Sequence, residues 1–243
     1  GFRGGKLKGG IDLDRDLPRL EIMRTALSRN SRHPAIMLDA NESWNHAQAA
    51  RYVCAVEQRL DLTWVEEPLR RWDAAGMAML RGKVRAAIAS GENLTGLEQY
   101  GPLLDANALD IVQVGTVWGI THFLRVATLA HSHDLPVSTV AYNGNPIAHA
   151  ASAVPNFLTH EVQDLAFPVG LDIDQEFDDG GIVLGDRPGI GIVVDEERLA
   201  SASAVPAAAA SGPHVRPERA GLRMVAEPDV IEEPATAGGR RTP

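Results

Sequence analysis

Short apolar runs alternate along this chain with longer stretches whose apolar residues recur at helical spacing, and few folds accept that rhythm. The strand candidates are "AIMLDAN", "LTWVEEP", "AAIASGEN", "LDIVQVG", "LPVSTVA" and "FLTHEVQ". Between them lie "NHAQAARYVCAVEQRL", "WDAAGMAMLRGK", "TGLEQYGPLLDAN" and "THFLRVATLAHSHD". At least six βα units in succession predict an α/β fold, a parallel sheet with helical crossovers. At 243 residues and 44% hydrophobic content, the chain can bury one core of the size found in single-domain α/β barrels.

After Glu161 the rhythm gives way to Gly/Asp-rich turns, "EFDDGGIVLGDRPGIGIVVDEERL", which predict a short ribbon. From about Ser201 the text is Ala, Pro and Gly with scattered charges, too poor in large apolar residues to pack. The expected organisation is a barrel over residues 1–165, a segment over 166–200 that packs back on it, and a disordered tail over 201–243.

Charge and cysteine content narrow the function. A formal net charge of -9 argues against nucleic acid or an anionic membrane as partner, since both favour a basic surface. The single cysteine, Cys54, has no internal disulfide partner, and no apolar run reaches the roughly 18 residues that span a bilayer. A cytoplasmic protein acting on small molecules is expected.

The strand ends carry the chemistry. "LDAN" closes on Asp39 and Asn41, "WVEEP" on Glu66 and Glu67, and "SGEN" on Glu92 and Asn93. In a parallel barrel those ends open on one face, the face that bears active sites. Three converging carboxylates repel one another unless a cation lies among them, and a hard divalent ion with oxygen ligands, Mg2+, fits that need.

These residues resemble the enolase superfamily, in its mandelate racemase and muconate lactonizing enzyme branch, from Lys6 to about Leu199. The resemblance implies a modified TIM-type (β/α) barrel with Asp39, Glu66 and Glu92 as ligands to Mg2+, with Mn2+ as the alternative. "KLK" is similar to the family's lysine pair, which implies Lys8 as the proton-transfer base and Lys6 as the residue that holds the substrate carboxylate and depresses its neighbour's pKa. Glu161, in "PNFLTHE", matches an acid that hydrogen-bonds the substrate. Asn41, Glu67, Asn93, Gln113, Tyr142 and Asn143 are expected to bind substrate or support the ligands.

The chain also departs from that pattern. Relatives place a histidine at the end of the seventh strand and an aspartate at the end of the sixth. Here Val140 and Ala141 stand at the first place and Gln113 or Gly115 at the second. Tyr142 is a candidate substitute acid, while His149 reads as a packed or capping residue. The first recognisable strand resembles the family's second, so the barrel is expected to be incomplete at its N-terminal end, with a capping domain supplied upstream of Gly1 or by another chain.

The expected function is Mg2+-dependent abstraction of the α-proton of a small-molecule carboxylate through an enediolate, as in an acid-sugar dehydratase. A single-base isomerase, cycloisomerase or racemase is the alternative within the family, and a non-catalytic binding or scaffold protein the alternative outside it. A homo-oligomer is expected.

Overall fold

The computed structural model describes residues 1–140, 147–163 and 169–203. Seven strands form one parallel sheet in chain order: β1 (Gly4–Lys8), β2 (Ala35–Asp39), β3 (Trp64–Glu66), β4 (Ala87–Ser90), β5 (Ile111–Gly115), β6 (Val137–Val140) and β7 (Phe157–His160). The crossovers are α1 (Leu13–Leu27), α2 (His46–Glu57), α3 (Ala74–Arg81), α4 (Leu97–Asp105), α5 (Gly119–His131) and α6 (Ile147–Ala151).

Strict neighbour order lets the sheet curl into a half-barrel with β1 and β7 as its edges. The edges approach closely enough for Lys6 of β1 to pair with Glu161, just past β7, at 2.8 Å. Between them lies a cavity of about 700 Å3 lined by Gly1–Lys6 and Lys8 on one side and Leu158–Gln163 on the other.

Alternation along the strands sorts side chains into two layers. Ile36, Leu38, Val65, Ile88, Val112 and Val114 face outward and are buried against Leu20, Val53, Met77, Tyr100, Leu103 and Phe123 from the helices. The inward apolar layer is small: Trp64, Ala89 and Ile111, with Met37 and Ala87 packed on them. Bulky Trp64 and Met37 beside two alanines fill a narrow interior.

Helix starts are set by side-chain caps. Asp12 accepts from the backbone of Asp14 and Arg15, Asn45 forms a reciprocal pair with Gln48, and Asp73 accepts from Gly76. Helix α1 was not among the expected helices. It carries Pro18 inside, and only Asp16 and Leu20 of its residues are fully buried, so its apolar stripe is faint.

Past Glu161 the expected ribbon resolves into two antiparallel pairs. β9 (Gln175–Asp178) pairs with β10 (Gly181–Leu184), and β8 (Leu171–Ile173) with β11 (Ile192–Val194). Helix α7 (Glu196–Ser203) then runs into the stretch expected to be disordered, whose remainder, 204–243, lies outside the described residues. No helix among the described residues is long and apolar enough to cross a membrane.

Leu38 has no solvent exposure and sits in the outer layer. Leu38→Ala should lower the unfolding free energy by about 2–5 kcal/mol in urea denaturation, with an unchanged slope. A loss below about 1 kcal/mol would show that the sheet-to-helix layer does not hold the fold together.

Candidate active site

Strand register assembles the site. Lys8 lies beside Asp39, and Asp39 beside Glu66, so the last residues of β1, β2 and β3 form one row across the sheet. Lys6, two residues before Lys8, shares its face, and Glu66 shares the inward face of Trp64. Glu92 follows β4 by two residues, and Glu161 follows β7 by one, its N–H donating to Thr139 O at 2.9 Å.

Lys6 is the hub of the charges. Its ammonium donates to Asp39 Oδ2 at 3.3 Å and pairs with Glu66 Oε1 and with Glu161 Oε2. Lys8 donates to the same Asp39 oxygen. The Lys6 side chain is 8% exposed and that of Lys8 35%, so Lys8 is the more open of the two to an incoming molecule.

The carboxylates are held from behind. Asn41 donates to Asp39 Oδ1 through its side chain at 2.5 Å and its backbone N–H at 2.9 Å. Glu66 Oε2 accepts from Gln113 Nε2 at 2.6 Å and from Trp64 Nε1 at 3.2 Å. Asn93 Nδ2 bridges Glu67 Oε1 at 2.8 Å and Glu92 Oε1 at 3.1 Å. Asn41, Glu42 and Glu67 adopt left-handed backbone, with φ of 48°, 58° and 41°. Arg71 braces this strained region: it grips Glu42 at 2.6 and 2.9 Å and donates to Asn93 O at 3.1 Å.

Trp64, Glu42 and Arg71 were not foreseen. Trp64 was legible as the inward residue two before Glu66. Arg71 and Glu42 are 29 residues apart, and no local pattern announces their pairing.

Burial and like charge dominate the titration of the acids. Burial, reinforced by Asp39, Glu161 and Glu92 and opposed by Lys6, pushes Glu66 well above the usual carboxylate range. Glu67 is pushed up to about 8 by burial and by Glu92. Asp39 is driven up by burial, but Lys6 and Lys8 outweigh that and hold it low.

The expected depression of Lys8 is not found. Burial pushes its ammonium down and Lys6 adds to that, but Asp39 outweighs them and the net shift is upward. The Asp39 carboxylate, hydrogen-bonded to the Lys8 ammonium, counters the neighbouring cation.

Where they are described, the places corresponding to the family's second acid/base pair hold other residues. A side chain on Gly115 would bring its Cβ within 2.4 Å of Glu92 O, so no acid can stand there. Gln113 is committed to Glu66, and Val140 is half-buried. His149 sits half-buried on α6. Ala141, Tyr142 and Asn143 lie outside the described residues.

The donor chemistry suits a hard divalent ion. Three carboxylates come from adjacent strand ends, and the buried Glu92 Oε2 has no hydrogen-bond partner among the described residues. Among the described residues no three His, Cys, Asp or Glu side chains stand close enough to grip an ion, and Lys6 and Lys8 serve the acids as counter-charges.

With this geometry in view, residues 1–198 match the family described as enolase C-terminal domain-like. The chain belongs to this family. Within the enolase superfamily it is 31% identical over 202 residues to the 3,6-anhydro-alpha-L-galactonate cycloisomerase of Streptomyces coelicolor, covering 82% of this chain and 55% of the relative. It is 33% identical to the L-talarate/galactarate dehydratase of Salmonella typhimurium, covering 81% of this chain and 49% of the relative. The L-talarate dehydratase of Polaromonas sp. JS666, solved with Mg and L-glucarate, superposes with a TM-score of 0.70 at 30% identity, over 82% of this chain and 53% of that one. This enolase-superfamily chain thus spans about half the length of the curated relatives it matches.

His160 supplies a pH test beside the charged row. It shares a hydrogen bond with Thr139, and burial pushes its imidazole from 6.5 down to about 4, against an opposing pull from Glu161. Between those values the unfolded chain binds a proton that the folded chain excludes, so stability should fall as pH drops from about 6.5 to about 4. Denaturant midpoints measured across that range should fall less steeply in His160→Gln. Identical slopes would remove His160 as their source.

Proposed function

We propose that this site abstracts the α-proton of a small carboxylate substrate with the help of Mg2+, Mn2+ being the alternative, and that the outcome is dehydration of an acid sugar. The observation that carries the reading is the charged cluster at the strand ends: Lys8, Asp39 and Glu66 stand in one row, Lys6 is buried beside them while Lys8 is partly exposed, and Glu92 follows the next strand. The 33% identical relative named a talarate/galactarate dehydratase supports the same outcome.

Asp39, Glu66 and Glu92 would hold the ion, with Asn41, Asn93, Gln113 and Glu67 fixing their carboxylates and loops. When bound there, a hard divalent ion would neutralise these acids, release the lysines from them and polarise the substrate's own carboxylate.

Lys8, the more exposed member of its pair, takes the α-proton at Nζ in its neutral form. Lys6, fixed inside, turns its ammonium toward the charge that develops on the substrate carboxylate. The electron pair of the broken C–H bond first enters the substrate carboxylate as an enediolate, then forms the C=C bond as the neighbouring C–O bond breaks, and the hydroxyl leaves as water carrying the proton that Lys8 took. Glu161 accepts hydrogen bonds from substrate hydroxyls while paired with Lys6.

Racemisation fits less well. It needs a group to return a proton on the face opposite Lys8, and of the two candidates for the strand-six position Gly115 admits no side chain and Gln113 is bonded to Glu66. Cycloisomerisation begins with a similar deprotonation, and the 31% identical relative of that name favours it as the second reading.

The test is exchange of the substrate α-proton with deuterated solvent, followed by NMR over a panel of sugar acids with Mg2+. Lys8→Met should slow exchange by about 10²-fold or more. Exchange at the unaltered rate would assign the base elsewhere. By calorimetry Glu92→Gln should weaken Mg2+ binding, and an unchanged isotherm would remove Glu92 from the ligand set.

A further inference from the structure

The turn that follows Lys8 is gripped on four backbone polar groups. Arg19 Nη1 donates to Lys8 O at 3.3 Å, and Gly9 N–H donates to Asp39 O at 3.0 Å. Gly10 N–H donates to Asp16 Oδ2 at 2.7 Å, and Gly10 O accepts from Trp44 Nε1 at 2.5 Å. Gly10 has a φ of 93°, open to glycine and strained for other residues, so this turn has one conformation to be held in.

Asp16 organises this grip. It is 3% exposed, and besides Gly10 it takes Tyr52 OH on Oδ2 and Arg19 Nη1 on Oδ1, both at 2.7 Å. Burial and the Asp16 carboxylate push the Tyr52 phenol strongly up, so it stays a donor at any physiological pH. The Tyr52 ring also lies 4.7 Å from that of Trp44. Helix α1 supplies Asp16 and Arg19, α2 supplies Tyr52, and the β2–α2 loop supplies Trp44. Three separate elements converge on this turn.

A buried carboxylate on an exposed helix needs a reason, because burial of a charge is unfavourable unless hydrogen bonds replace its water. Three donors replace that water here, Gly10 N–H, Tyr52 OH and Arg19 Nη1, and Arg19 also donates to Lys8 O. We propose that Asp16, Arg19, Tyr52 and Trp44 are positioning residues for the Lys8 ammonium. They fix the backbone from which this exposed side chain projects, so that its Nζ samples a narrow region over the carboxylate row. This role rests on the reading of Lys8 as base for its catalytic meaning, though not for its measurement.

The chain contains three lysines, Lys6, Lys8 and Lys83, and Lys83 is exposed and remote in sequence. Reductive 13C-methylation of the protein, with signals assigned through Lys8→Arg and Lys6→Arg, reports the surroundings of each amine by NMR. In Tyr52→Phe and Arg19→Met the Lys8 signal should lose its distinct shift and narrow toward that of Lys83, while the Lys83 and Lys6 signals stay in place. Asp16→Asn should do the same more strongly, and the Tyr52 and Arg19 variants remain decisive if it fails to fold.

An unmoved Lys8 signal in folded Tyr52→Phe and Arg19→Met would overturn the proposal. So would equal movement of all three lysine signals, which marks general loosening. In the exchange assay the same two variants should lower kcat with KM unchanged. If Lys8→Met retains full exchange while the Lys8 signal still responds to Tyr52→Phe, the assignment of the base fails and the positioning stands.

Discussion

An ammonium group with 8% of its side chain exposed, among three carboxylates, is the constraint around which this molecule is arranged. Lys6 cannot be removed from water without partners, and Asp39, Glu66 and Glu161 cannot share a space without a cation. Each makes the others tolerable. Because the three acids come from β2, β3 and the end of β7, satisfying Lys6 draws the two edges of the sheet toward each other. The curl of the half-barrel and the charge balance of its mouth are therefore one fact.

Much of this was legible. The βα rhythm marks a parallel sheet because two-face burial requires continuous apolar runs, and the crossover helices need stripes of their own. The acids at 39, 66 and 92 could be placed on one face without coordinates, since parallel strands end on the same side. The likeness of "KLK", "LDAN", "WVEEP" and "SGEN" to the enolase superfamily agrees with the family match over residues 1–198.

The rest was hidden for physical reasons. Helix α1 carries its buried polar anchor, Asp16, where a sequence pattern looks for an apolar residue. The brace between Arg71 and Glu42 depends on two loops meeting in space. The protonation of Lys8 depends on which neighbour its Nζ touches, and a single ångström-scale choice, Asp39 in preference to open solvent, reverses the direction expected from adjacent cations. Periodicity fixes the face of a side chain and leaves its partner undetermined.

The row formed by Lys8, Asp39 and Glu66 has a further consequence for how such a chain can vary. Neighbouring strands stand about 4.8 Å apart and inward residues recur with period two. One residue inserted within β2 would swing Asp39 into the layer occupied by Leu20 and Val53, where no cation waits, and would bring Leu38 or Ala40 into the mouth. Lengthening the segments between strands carries no such parity. Descendants of this sequence should therefore tolerate insertions between strands and helices and almost none within the strands, so that substrate range drifts through loop length while the charged row stays locked by even and odd.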